Sequence, residues 1–119
     1  MHRQEVIEEL TKLLHENNQK QAIVEGKRDR IALCSFGFTK IIEINKGIYE
    51  TTERLKEKTV LILTDFDREG REIAKKFNEI LPPLGYKVDK QTRRKIGLMF
   101  TKLKIRKIEE LRGVLKWVN

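Results

Sequence analysis

The stretch Thr59-Val60-Leu61-Ile62-Leu63 sets five apolar or β-branched residues in a row, closed by Thr64 and Asp65. A strand with one wet face alternates polar and apolar residues, so an unbroken run is what a strand covered on both faces requires. Around it, apolar residues recur at the helical period. Val6, Ile7, Leu10, Leu13 and Leu14 form one stripe that ends near Asn17-Asn18-Gln19. Ile73, Phe77, Ile80 and Leu81 form a second within Arg68 to Leu81, which Pro82-Pro83 ends. Ile96, Met99, Phe100 and Leu103 give a third, and Ile108, Leu111, Leu115 and Val118 a last one. Between them, "QAIVEG" reads as a strand and tight turn, and "KRDRIALCSF" as a helix with Ile31 and Cys34 on its inner side. "KIIEI" (residues 40–44) reads as a second strand, "GIYETTERLKEK" as a helix, and the segment from Tyr86 to Val88 as a short strand. Strands separated by helices of this length need crossover connections. The expected fold class is therefore α/β, with a mostly parallel central sheet of about four strands and helices on both faces.

A chain of 119 residues fits a single domain able to bury roughly two thirds of the surface its unfolded form exposes. Its lone cysteine, Cys34, has no partner for an internal disulfide and reads as a small core residue. The N-terminus lacks the continuous apolar stretch of a signal peptide or membrane span, so a cytoplasmic protein without membrane association is expected. The net charge of +8 is unevenly placed. Residues 1–83 carry 15 Lys/Arg against 15 Asp/Glu, whereas residues 84–119 carry 11 against 3. A basic segment beside an acidic cluster points to a polyanion partner, nucleic acid above all. A solubilising charged surface, as thermophiles favour, is the plainer reading.

The acids themselves stand at strand ends. Glu25 follows Val24, and Asp65 follows Leu63-Thr64, so a parallel sheet delivers both to its carboxyl edge, where open α/β sheets bind ligands. In an extended loop, residues i, i+2 and i+4 point the same way, which would let Asp65, Asp67 and Glu69 converge on a hard cation such as Mg²⁺. Alternatively, Asp67 caps a helix starting at Arg68 and Glu69 decorates its first turn. The DxDxE spacing leaves both readings open, but the cap accounts for neither Asp65 nor Glu25.

"IVEGKRD", followed about forty residues on by "LILTDFDREGREIAKKF", resembles the Toprim domain. That metal-binding module is shared by type IA and type II topoisomerases, bacterial-type primases, OLD-family nucleases and the maturases of 5S ribosomal RNA. "DFDREG" is especially similar to the type IA form. The resemblance spans roughly residues 21–88 and implies a three-layer, Rossmann-like Toprim core, flanked by an N-terminal helix over 3–17 and a basic helical segment over 89–119. It implies Glu25 as general acid/base, with Asp65, Asp67 and Glu69 coordinating Mg²⁺, or Mn²⁺ in its place. Gly26 would allow a sharp turn beside the site, Gly70 a close approach as the following helix begins, and Gly47 a turn after the second strand.

Departures from the larger family members narrow the expected activity. A type IA topoisomerase needs a nucleophilic tyrosine on DNA-enclosing domains, and here the tyrosines are Tyr49 and Tyr86 alone, with no room for such domains. A primase needs a nucleotide-binding and template-holding apparatus. A small stand-alone Toprim nuclease acting on RNA or DNA remains, alone, as a homodimer or within a nucleoprotein complex. Lys90, Arg93, Arg94, Lys95 and Lys102 on the basic helix would meet phosphates, joined near the acids by Lys27 and Arg68. Arg68 would either touch the phosphate or pair with a neighbouring acid. His2 and His15 read as surface residues, and Phe100 and Trp117 as core or partner contacts. The rival readings are a non-catalytic nucleic-acid- or protein-binding Toprim module and a haloacid-dehalogenase-like phosphatase. The latter expects Thr or Val where Glu69 stands. A phosphate loop at Glu25-Gly26-Lys27 lacks its upstream glycine and its Ser or Thr.

Overall fold

The computed structural model describes residues 2–114. In chain order it comprises α1 (Arg3–Glu16), β1 (Gln21–Val24), α2 (Lys27–Cys34), β2 (Ile41–Glu43), α3 (Ile48–Glu53), β3 (Thr59–Ile62), α4 (Arg68–Ile80), β4 (Lys87–Val88), α5 (Lys90–Leu103) and α6 (Leu111–Val114). Single 3₁₀ turns stand at Pro82–Leu84 and Ile108–Glu110. The four strands lie in the order β2-β1-β3-β4 and every pairing is parallel. The apolar run read as doubly covered is central: β3 sits between β1 and β4, with Ala22 opposite Leu61 and Ile23 opposite Ile62.

Strand alternation sorts the core into two layers. Ala22, Val24, Leu61 and Leu63 pack with Leu10, Leu14, Leu33, Phe100 and Leu103, from α1, α2 and α5, on one face. Ile23, Val60 and Ile62 face the other way onto Ala74 and Phe77 of α4 and onto Leu81. Helices therefore cover both faces. This is an α/β Toprim-like architecture, as expected.

Several local expectations are corrected. Ile31 and Cys34 are exposed, and α2 instead buries Asp29, Ala32 and Leu33. A helix of eight residues is rotated by what anchors its ends. Here Asp29 turns back to accept the Gly26 N–H at 3.2 Å, and Phe36 and Phe38, just beyond the helix, enter the core at 1% exposure each. The helix expected over "GIYETTERLKEK" shrinks to Ile48–Glu53. The last one breaks into a 3₁₀ turn and α6, and its Leu115, Trp117 and Val118 lie outside the described residues. Phe100 is a core residue, whereas His2 and His15 are exposed. Among the described residues, no helix is long and apolar enough to cross a membrane.

Phe77, fully buried against the central strands, carries much of the second layer. Phe77→Ala is expected to lower unfolding stability by about 3–5 kcal/mol, measured by denaturant titration.

Candidate metal centre

β1 and β3 run side by side and stop at the same edge. The Leu63 N–H still donates to the Ile23 carbonyl at 2.8 Å. Two residues on, the Asp65 N–H donates to Glu25 Oε2 at 2.7 Å. Asp65 Oδ1 in turn accepts the Ile108 N–H at 2.8 Å, and Asp67 Oδ1 accepts the Gly70 N–H at 2.8 Å as the N-cap of α4. Each of the three carboxylates is thus held through one oxygen by a main-chain amide. One oxygen from each of Glu25, Asp65 and Asp67 lies within 4.8 Å of the others. The set is anionic and oxygen-only, which suits a hard divalent cation better than a soft one.

The surroundings are half-buried and acid-rich, and the titration behaviour follows. Burial raises the pKa of Glu25, opposed by the Asp65 amide and reinforced by the charges of Asp65, Asp29 and Asp67. Burial likewise raises Asp65, against the Ile108 amide. Asp29 is pushed up to about 6, first by burial and then by Asp65. Behind the acids stands Arg93. Its guanidinium donates to the carbonyls of Ile62 and Thr64 at 2.9 Å and of Asp65 at 3.2 Å, and lies 4.4 Å from the centre of the Phe66 ring. Burial brings its pKa down to about 10 while Glu25 and Asp65 push the other way, so it stays a cation at neutral pH.

Not every candidate joins the cluster. Glu69 is exposed and outside the converging group, because α4 begins at Arg68 and the extended alternation that would have aimed it inward stops at Asp67. Asp67 is both cap and member of the cluster. Gly70 meets a real constraint: a Cβ there would lie 2.1 Å from the Asp65 carbonyl oxygen. Gly47, at φ +102°, occupies the region that favours glycine. Gly26 is different, since its φ of −155° is ordinary extended backbone and a Cβ would meet nothing within 4 Å. The bend after β1 comes from the α2 cap. Lys27, Arg68, Lys90, Arg94, Lys95 and Lys102 are all exposed. Arg68 pairs with Glu72 at 3.4 Å. Arg93, expected to reach outward, turns its donors onto the β3 end instead. Sequence reasoning missed Asp29, although it stands within the quoted "IVEGKRD", and missed the Ile108 amide, which no side-chain pattern signals.

A parallel sheet that offers a glutamate from one central strand and two aspartates from its neighbour defines a domain class suited to metal-dependent nucleic-acid chemistry. The chain belongs to the Toprim domain family, whose model matches residues 20–99. Among its relatives, a UPF0292 protein of Methanocaldococcus jannaschii is 42% identical over 112 residues, spanning 90% of this chain and 84% of the relative. A UPF0292 protein of Pyrococcus abyssi is 41% identical over 92 residues, spanning 75% of this chain and 69% of the relative. A solved structure of a protein from Aquifex aeolicus superposes with a TM-score of 0.65 at 32% identity, covering 89% of this chain and 94% of that one.

Two outcomes follow from the geometry. Gly70→Ala should cost about 1–3 kcal/mol of stability, since the Asp65 main chain must shift to admit the methyl group. For Asp29, the folded state holds a proton up to about pH 6, while the unfolded chain releases it near pH 4. Stability therefore falls as pH rises through that window. Without divalent cations, Asp29→Asn should raise unfolding stability at pH 7.5 by on the order of 1 kcal/mol, seen as a higher melting temperature, and the gain should fade toward pH 4.5. Thermal melts across that range check it.

Proposed function

We propose that the protein is a divalent-metal-dependent nuclease, acting on RNA or DNA with Glu25 as general acid/base. The observation that carries this reading is the convergence of Glu25, Asp65 and Asp67 within 4.8 Å, each steadied by a main-chain amide. Asp65 and Asp67 are the residues to hold Mg²⁺ or Mn²⁺, with Glu69 at the rim. When bound, the ion would neutralise charge developing on a phosphodiester and favour ionisation of an attacking water. The chain supplies the proton handling. Glu25 Oε2 is occupied by the Asp65 amide, which leaves Oε1 to take a proton from water or give one to the leaving oxygen. Its raised pKa brings that exchange closer to neutral pH. Arg93 keeps Thr64 and Asp65 in place from behind, so the carboxylates need not reorganise. The exposed cations Lys27, Arg68, Lys90, Arg94, Lys95 and Lys102 supply the attraction for a polyanion.

The test is cleavage of structured RNA, single-stranded DNA and duplex DNA with Mg²⁺ or Mn²⁺. Glu25→Gln should lower turnover by roughly 10²–10⁴-fold while nucleic-acid binding stays near the parent level. Equal cleavage by parent and variant would overturn the role of Glu25. A parent inert on all three substrates would favour the non-catalytic binding module instead.

A further inference from the structure

Beside the acidic centre, on the same carboxyl edge, a second crevice opens between α4 and α5 past the end of β4. Its volume is about 820 Å³, within the roughly 300–1,000 Å³ of ligand pockets. Arg71, Lys90, Arg94, Lys104 and Arg106 line it. Among the described residues, none of these five side chains has a hydrogen-bond or ion-pair partner. Asp89, the acid on the lining, is already engaged by Lys20 at 2.5 Å and by the Thr92 hydroxyl at 2.6 Å. Cations left unpaired around a concavity are what an anionic ligand needs.

The lining also has an apolar part, beside the polar Asn78 and Thr101. Phe66, Val88, Leu98 and Ile105 form it, and Leu98 stands 55% exposed on its wall. A duplex offers phosphates outside and hides its bases, so it would use the cations and leave the apolar surface unused. A single strand presents both, its unstacked bases finding apolar contact while its phosphates meet the cationic lining. The crevice also shares a wall with the acidic centre. Phe66 stands between Asp65 and Asp67 in the chain and donates its N–H to the Arg106 carbonyl at 2.7 Å, and Arg93 both lines the crevice and holds the Asp65 carbonyl.

We propose that this crevice seats a single-stranded stretch of the nucleic acid whose phosphodiester lies at the acidic centre, making single-stranded RNA or DNA the substrate class. This rests on the nuclease reading above. Lys75 and Lys76, exposed on α4, lie outside the crevice lining and provide a charge-matched control.

The experiment measures fluorescence anisotropy of labelled single-stranded RNA and DNA, and of the matching duplexes, on full-length Glu25→Gln protein. Arg71→Gln/Arg94→Gln should weaken single-strand binding about tenfold or more and lower the slope of log affinity against log salt by roughly 1–2. Lys75→Gln/Lys76→Gln, removing the same charge, should stay within about threefold of the parent. All four side chains are exposed, so both variants should melt with the parent. The RNA and DNA arms identify which strand is preferred. Equal affinity for duplex, equal losses in the two variants, or displacement by polyglutamate as effective as by an oligonucleotide would each overturn the crevice. Cleavage left intact by Arg71→Gln/Arg94→Gln in a Glu25 background would remove the crevice and keep the nuclease. Crevice-dependent single-strand binding without cleavage would do the reverse.

Discussion

The Asp65 N–H that donates to Glu25 Oε2 is the next donor of the β1–β3 ladder after Leu63. Had the strands continued, a main-chain carbonyl of β1 would have accepted it. The Glu25 carboxylate takes that place. The sheet therefore ends in a side-chain contact, which ties the first residue past β1 to the first acid after β3. From that bond the rest of the centre is placed. Asp65 is turned so that its carboxylate meets the Ile108 amide, and Phe66 is drawn to Arg106, which brings the C-terminal turn over the sheet edge.

Such an arrangement concentrates negative charge in a half-buried place, which the chain offsets with Arg93 and, at Asp65, with Lys107. Arg93 faces the cluster from behind, spending its donors on carbonyls rather than on the carboxylates. It makes the potential around the acids less negative without pairing with any single one. The carboxylates stay unpaired on their outer side, where a cation can approach. Burial first, and the neighbouring acids after it, account for the upward shifts of Glu25, Asp29 and Asp65.

The centre was legible where an acid directly follows an apolar strand, because strand direction alone decides which edge receives it. Glu25 and Asp65 are such cases. The four-strand parallel sheet was legible for the same reason, from the unbroken run at residues 59–63 and the helical stripes between strands. What depended on rotation was not. Ile31 and Cys34 form a plausible inner face on α2, yet the Asp29–Gly26 cap turns that face outward. Glu69 fits an extended alternation, but helix geometry begins one residue before it. Both errors come from carrying a local period across a boundary that tertiary contacts set.

Asp67 shows why helix cap and metal ligand were never true alternatives. A carboxylate has two oxygens, and the Gly70 amide uses Oδ1 alone. The cap fixes the side chain in one orientation, so a ligand presented this way loses less conformational freedom on binding an ion than a free one would. The same logic governs Glu25 and Asp65, and it assigns different tolerances to their anchors. Ile108 serves Asp65 through its N–H, so the core restricts its side chain and the metal centre does not. Gly70 serves Asp67 through its N–H as well, but its α-carbon faces the Asp65 main chain, where a Cβ would sit 2.1 Å from the carbonyl oxygen. A side chain at residue 70 would press on one metal-centre acid while capping the other, and that double contact is what confines the position to glycine.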